Sequence, residues 1–268
     1  MKRFDSKRIR KTILEMAFSG STVHIGCAFS IVELLAVLYR AHLRVDPKSP
    51  EWAGRDYLVL SKGHGVMAQY ACLGELEWIG KDELERYFGN GTRLKGLADA
   101  HVPGVEATTG SLGHGLSVAV GLALGAKRSA TDQICYALVG DGELNEGTIW
   151  EAALFASQFK LDNLIVIVDV NGFQAMGRTD DVIGLGDIRA KFDAFGFETV
   201  LIDGHDENAI DAVYGQLRLS KNGKPKAIIA ETVKGKGVPF MENENVWHYT
   251  RLNAQTFGAA ISALEGDA

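Results

Sequence analysis

The sequence has little of what marks secreted, membrane or nucleic-acid-binding proteins. Its 268 residues contain three cysteines and no Cys-x-x-Cys pair, which argues against a disulfide framework and favours a reducing, cytoplasmic compartment. No apolar run approaches the length of a membrane span, and Glu15 interrupts the only candidate signal-peptide core. A formal net charge of −6 argues against a general nucleic-acid or anionic-membrane surface. We therefore expect a soluble cytoplasmic protein.

The sequence also lacks internal repeats, low-complexity tracts and any segment that reads as a linker between domains. No Gly-x-Gly-x-x-Gly opens the first βα turn, which argues against a plain nucleotide-binding α/β protein. With 46% hydrophobic residues the chain can bury a large core. Because predicted strands and helices alternate, we expect one α/β domain over residues 1–268, with a mostly parallel sheet covered by helices on both faces.

The most informative part of the sequence is a predicted βαβ unit. The apolar run 134–139 predicts a buried strand that ends just before Asp141. A helix is predicted over Glu146–Phe159, and a second strand over 164–170 ends at Asn171. Since neighbouring parallel strands end at the same edge of a sheet, we expect Asp141 and Asn171 to lie together where open α/β folds bind ligands.

These residue types suit a diphosphate and a divalent cation. Magnesium prefers oxygen ligands, which the Asp141 carboxylate, the Asn171 side chain and a carbonyl just after it, that of Phe173, can supply. Gly140 and Gly142 allow a phosphate to approach the backbone, and the N-terminus of the following helix favours an anion. The alternative, that Gly-Asp-Gly is only a turn and Asn171 a turn opener, is less consistent with the whole pattern.

With these motifs in place, the sequence resembles the thiamine diphosphate enzymes, and among them the transketolases. The resemblance covers essentially the whole chain, but only the amino-terminal part of a full transketolase. Several segments match in the family's order: residues 21–26, 60–65, 109–115 and 233–238, and the pair Trp247 and His248.

The resemblance implies a transferase that moves a two-carbon ketol unit from a ketose or ketose phosphate to an aldehyde, with thiamine diphosphate and magnesium as cofactors. The family's pyrimidine-binding half, with its activating glutamate, is missing. We therefore expect a C-terminal, pyrimidine-binding partner subunit in an α2β2 assembly. Glu146 and Glu151 match acidic residues near the family's subunit interface, although solvation of a helix's first turns is the alternative.

The resemblance also assigns residues to roles. His24, His64 and His248, with Glu146, are the expected catalytic residues, and the histidines would surround the thiazolium ring and the substrate oxygens. Asp141, Asn171 and Phe173 are the expected metal ligands. The expected cofactor-binding residues are His64, Gly110, Ser111, Leu112, His114, Gly140, Asp141, Gly142, Glu146, Asn171 and His248. Structural use of His114 is an equal alternative.

One position departs from the family pattern. Leu97 stands where transketolases usually carry a substrate-binding histidine, which removes a polar partner for the donor's hydroxyl. Two explanations remain open: His101 on the same loop takes over the contact, or the donor differs from an ordinary ketose phosphate. The second keeps a related acyloin-forming or 2-oxo acid-decarboxylating enzyme as an alternative function, and a noncatalytic regulatory paralogue is the alternative of another class.

Two local expectations concern the amino-terminal third. Residues 20–29 read as a loop that carries His24, and Ser30 with Glu33 reads as a capping box that opens a helix. Near the other end, Lys234 and Lys236 lie either close to the diphosphate or in a solvated loop. The sequence leaves that choice open.

Overall fold

A five-stranded parallel sheet forms the centre of the fold. The computed structural model describes residues 3–266, and seven strands lie within them. They are β1 (Tyr57–Leu60), β2 (Cys135–Gly140), β3 (Leu164–Val170), β4 (Phe173–Gln174), β5 (Gly177–Arg178), β6 (Glu198–Asp203) and β7 (Lys226–Glu231). The central sheet has the order β1-β2-β3-β7-β6 with every pairing parallel, and β4 and β5 form a small antiparallel hairpin.

Helices cover both faces of this sheet. The described residues contain α1 (Ser6–Ser19), α2 (Ile25–Phe29), α3 (Val32–Val37), α4 (Val66–Glu75), α5 (Lys81–Glu85), α6 (His114–Arg128), α7 (Gly147–Gln158), α8 (Thr179–Ile183), α9 (Ile188–Ala194), α10 (Glu207–Leu219) and α11 (Ala254–Glu265). A π-helical turn, Leu38–His42, continues α3. Short 3-10 turns lie at Gly63–Gly65, Gly142–Asn145 and Asn245–His248.

The alternation of side chains along the strands divides the core in two. Tyr136 and Leu138 of β2 pack in one apolar cluster with residues of α1, α3, α4 and α10. Ala137 and Val139 of the same strand pack in the other, with residues of α6, α7 and α9. Since successive side chains of a strand point to opposite faces, the sheet is buried on both sides. The predicted α/β class with a doubly covered parallel sheet is confirmed.

Two local expectations are wrong. Residues 25–29 form the short helix α2, which begins directly after His24. Ser30 does not cap a helix, because α3 starts after Ile31 without a side-chain cap. The Ser30 hydroxyl instead donates to Oδ2 of Asp169 at 2.7 Å, and the Cys27 carbonyl lies 3.2 Å from the hydroxyl oxygen. The hydroxyl that the local pattern assigned to the helix end therefore binds a carboxylate that is distant in sequence.

The described part of the chain contains no helix that is both long and apolar enough to cross a membrane.

Candidate active site

The ends of β2 and β3 bring the two predicted metal ligands to one edge of the sheet. Gly140 of β2 lies opposite Asp169 of β3 in the parallel register, so Asp141 and Asn171 each follow a strand end. Asp141 is buried, with 3% of its surface exposed. Its Oδ1 accepts a hydrogen bond from the Gly142 amide at 2.7 Å, and its Oδ2 accepts one from the Gly172 amide at 2.7 Å. The backbone therefore fixes this carboxylate in place.

The electrostatic state of Asp141 fits a cation site. Burial raises the pKa of Asp141 to about 6, and the neighbouring Asp169 charge adds to the rise, against the opposing effects of two amide hydrogen bonds and Lys62. A buried carboxylate with a raised pKa lacks enough positive charge around it. An added divalent cation would supply that charge, and carboxylate oxygen is a ligand that magnesium prefers.

Asn171 and Phe173 complete the predicted ligand set. The Asn171 Nδ2 donates to Oδ2 of Asp169 at 2.9 Å, and its Oδ1 accepts from the Phe173 amide at 3.0 Å. The Phe173 ring lies below the Lys234 ammonium, 5.5 Å from Nζ to the ring centroid. The three predicted ligand residues line one cavity.

A cavity of about 400 Å³ opens at this edge. Predicted site residues that line it are His24, His64, Gly110, Leu112, Gly140, Asp141, Gly142, Asn171, Phe173 and His248. Ser111, His114 and Glu146 do not line it and are exposed. His114 opens α6, and Glu146 precedes α7 without a side-chain cap.

The three predicted catalytic histidines form a compact group on one wall. The ring centroids of His24 and His64 are 5.3 Å apart, those of His24 and His248 5.6 Å, and those of His64 and His248 5.5 Å. His24 has a left-handed backbone with φ 70°. For a residue that is not glycine this conformation is strained, which is a common property of functional positions.

All three histidines are held neutral. Burial lowers the pKa of each ring, to about 3 for His248 and well below its ordinary value for His64, and the charges of Lys62 and Lys234 lower it further. Neutral imidazoles can donate one hydrogen bond and accept another. At physiological pH the group can therefore orient hydroxyl and carbonyl oxygens of a substrate.

Lys234 fixes the orientation of His248. Its ammonium lies 2.7 Å from Nδ1 of His248, and since an ammonium only donates, the ring proton is placed on Nε2. Lys234 is itself buried and contacts His248, so it does not lie in a solvated loop, whereas the Lys236 side chain is 39% exposed.

Cys27 completes a cluster that could hold a metal ion of another kind. Its Sγ and one nitrogen each of His64 and His248 lie within 4.8 Å of one another. The charges of Lys62 and Lys234 act on all three groups. Because like charges repel strongly in a buried site, these lysines disfavour a cation there. The hard-ion position at Asp141 and Asn171 fits better.

A buried ion pair that the sequence analysis did not find lies beneath the cavity. The ammonium of Lys62 donates to Asp169, which also accepts hydrogen bonds from Ser30 and Thr232. Burial disfavours both charges, but their mutual attraction raises the pKa of Lys62 and lowers that of Asp169. A sequence signal did exist: Asp169 is the only charged residue in the apolar strand β3, and a buried charge needs a partner.

Glu143 is a second missed residue. Its buried carboxylate accepts from the Ser61 hydroxyl, from the Gly113 amide at 2.8 Å and from the Gly140 amide at 3.1 Å. These donors come from three separate segments that surround the cavity. Glu143 thus links the turn at Gly140, which the sequence assigned to the diphosphate, to the turn at Gly113.

The departure at Leu97 is visible in the cavity. Leu97 lines it with 42% of its surface exposed, and its Cδ1 would be 2.6 Å from a Cβ built on Gly110. His101 does not line the cavity: its side chain is 88% exposed and its Nδ1 is 2.7 Å from Oδ1 of Asp99. The structure therefore does not support the explanation that His101 replaces the missing histidine.

Comparison with protein families agrees with this geometry. The family model described as "Transketolase, thiamine diphosphate binding domain" matches residues 6–264. The chain belongs to this family. It is 43% identical over 265 residues to one of the subunits of the "Apulose-4-phosphate transketolase" of Actinobacillus succinogenes, covering 98% of this chain and 95% of that protein. It is 40% identical over 258 residues to the "6-deoxy-6-sulfo-D-fructose transketolase subunit SqwG" of a Clostridium species, covering 96% and 94%.

Solved structures of the transketolase family share the fold. The transketolase of Campylobacter jejuni superposes with a TM-score of 0.90 at 30% identity, covering 98% of this chain and 42% of that one. The chain thus spans less than half of that transketolase and nearly the whole of the two named subunits. The prediction of a transketolase-type, thiamine diphosphate-binding chain is confirmed.

Proposed function

We propose that this chain is the diphosphate-binding subunit of a two-subunit transketolase that moves a two-carbon ketol unit from a ketose donor to an aldehyde acceptor. One observation carries the proposal: a buried, cation-deficient carboxylate and three neutral histidines line the same cavity. The relatives named as subunits of apulose-4-phosphate and 6-deoxy-6-sulfo-D-fructose transketolases support a sugar substrate with an anionic group.

The cofactors we propose are thiamine diphosphate and magnesium. Asp141, Asn171 and the Phe173 carbonyl would hold the metal, and Gly140 and Gly142 would let the diphosphate approach the backbone. Further cofactor contacts are proposed for His64, Gly110, Ser111, Leu112, His114, Glu146 and His248. When bound, thiamine diphosphate supplies the electron sink for cleavage of the carbon–carbon bond.

We assign the positioning of the substrate to the three histidines of this chain. His24 and His64, both neutral, would accept or donate hydrogen bonds to substrate hydroxyls. His248 would donate from Nε2 to a substrate oxygen, because Lys234 occupies its Nδ1. Loss of any of these donors would leave substrate charge unstabilised in a buried site. We propose Glu146 as a residue that acts through the subunit interface.

An exposed apolar surface supports the proposal of a partner protein. On and just beyond α7, Leu154, Phe155 and Phe159 are exposed apolar side chains on a helix that follows the metal-site turn. Exposed apolar patches of this kind are typical of protein interfaces. We propose that the partner is the C-terminal, pyrimidine-binding transketolase subunit, in an α2β2 assembly in the cytoplasm, with residues 1–268 as one domain.

The direct test is reconstitution. The purified chain with thiamine diphosphate and magnesium should show no ketol transfer between a ketose phosphate and an aldehyde. Addition of the pyrimidine-binding subunit should restore turnover, and native mass spectrometry should show two copies of each chain. Full turnover by this chain alone would refute the two-subunit proposal.

A further inference from the structure

A second pocket of about 400 Å³ adjoins the active-site cavity. His24 and Leu97 line both spaces, so the two are neighbours across these side chains. Tyr249, directly after His248, lines the second pocket and packs edge-on against His24, with ring centroids 5.5 Å apart. A substrate whose reacting end lies at His24 therefore has this pocket within reach of its other end.

The charge of the pocket is opposite to that of the chain. Lys95 and Arg251 line it, and none of its lining residues is acidic, although the formal net charge of the chain is −6. Among residues 3–266, neither cation forms a salt bridge. Asp99, the carboxylate whose pKa Lys95 helps to lower, is hydrogen-bonded by the amide and the ring of His101. The pocket thus holds two cations that form no ion pair within the described residues.

Backbone contacts leave most donors of these two cations available. Arg251 Nε donates to the Ser21 carbonyl at 2.7 Å, whereas its two terminal nitrogens form no hydrogen bond within the described chain. Lys95 Nζ donates once, to the Thr92 carbonyl at 2.7 Å. Ser21 has a left-handed backbone with φ 46°, so the turn that anchors Arg251 is strained, like His24 three residues later.

We propose that the Lys95–Arg251 pocket binds the anionic terminal group, a phosphate ester or a sulfonate, of the sugar substrate. This inference rests on the proposed function and extends it, because it assigns an anion site to this chain itself. Guanidinium and ammonium groups bind such anions through charge-assisted hydrogen bonds. Leu97 lies between this site and the reaction centre. Its apolar side chain stands where a histidine would contact a substrate hydroxyl.

The test uses the double variant Lys95→Met with Arg251→Met, which removes both charges and keeps the apolar stems. In the assembled enzyme, the ratio of kcat/KM for a phosphorylated ketose over the same ketose without phosphate should fall by about tenfold or more. A sulfonated ketose in place of the phosphorylated one shows which anion the pocket prefers. The control, Lys224→Met with Arg189→Met on the distant surface, should keep the ratio. An unchanged ratio in the first variant would overturn the proposal.

A second readout separates this proposal from the proposed function. Titration of the chain with inorganic phosphate, followed by NMR, should shift the amide signals around Lys95 and Arg251 in the native protein and not in the double variant. If phosphate binds in this way but no ketol transfer occurs, the anion site stands and the proposed function fails. If transfer occurs and phosphate shifts neither segment, the anion site is refuted.

Discussion

The pKa values of two buried carboxylates in this molecule shift in opposite directions. Glu33 lies between α1 and the end of β6, where Arg10 Nη2 is 2.8 Å and His205 Nδ1 2.9 Å from its Oε2. Burial alone would raise its pKa, but the hydrogen bonds and charges of His205 and Arg10 outweigh that effect and lower the pKa of Glu33 to about 2. The negative charge of Glu33 is therefore compensated by partners within the chain.

Asp141 is equally buried but receives its hydrogen bonds mainly from backbone amides, and its pKa rises to about 6. The comparison separates two uses of buried charge. A carboxylate whose negative charge is compensated within the fold, such as Glu33, links helices. A carboxylate that the fold leaves without a counter-charge, such as Asp141, is available for a cation from outside. The predictions below test this difference.

The largest expected effect is at Glu33. Glu33→Gln would leave the Arg10 guanidinium buried without a counter-charge, which should lower the free energy of unfolding by about 3–5 kcal/mol. Urea denaturation measures this change in the free energy of unfolding. The matched control is Glu265→Gln, which breaks the exposed pair with Lys11 and should not change stability measurably. Equal stability of Glu33→Gln and the native chain would show that the pair is not structural.

The opposite effect is expected at the site. Asp141→Asn removes a charge that the fold leaves uncompensated, so at pH 7 it should raise the free energy of unfolding of the metal-free chain by roughly 1–3 kcal/mol. Urea denaturation with a chelator measures this, and Asp82→Asn on the exposed helix α5 serves as the control. A destabilised Asp141→Asn chain would mean that the fold already compensates the negative charge of Asp141.

The two carboxylates should also differ in pH dependence. The stabilisation from Glu33 is present above its ordinary pKa of 4.5 and is lost as the pH falls toward 2. Asp141 acts in the other direction, because its folded pKa lies above its ordinary value of 3.8: the contribution of Asp141 to stability should rise as the pH falls from about 6 to 3.8. The slope is at most about 1.4 kcal/mol per pH unit for one proton. Comparing native and Asp141→Asn chains by denaturation at several pH values isolates this gain, and parallel curves would contradict it.

Local patterns in the sequence predicted much of the fold and part of the site. The strand β3 has the predicted bounds and the helix α7 lies within one residue of its predicted ends, since apolar runs and helical periodicity are local signals. Asp141 and Asn171 were found for the same reason, because each directly follows a predictable strand. The short helix α2 was missed because five residues carry too little periodicity.

The remaining site residues depend on contacts between distant parts of the chain. Lys62 and Asp169 are 107 positions apart, and Ser61 and Glu143 are 82 apart, so no local pattern joins them. Ser30 shows how such a contact overrides a local signal, because its hydroxyl binds Asp169 instead of a helix end. Buried polar networks are therefore the part of a site that sequence patterns predict least well.

The central claim is that Asp141 and Asn171 hold a divalent cation that anchors the cofactor's diphosphate. Calorimetric titration of thiamine diphosphate into the assembled enzyme, with and without magnesium, tests it most directly. The native enzyme should bind the cofactor much more tightly with magnesium, and Asp141→Asn should lose that gain while remaining folded. If Asp141→Asn keeps the full magnesium-dependent affinity, the metal is bound elsewhere and the account is contradicted.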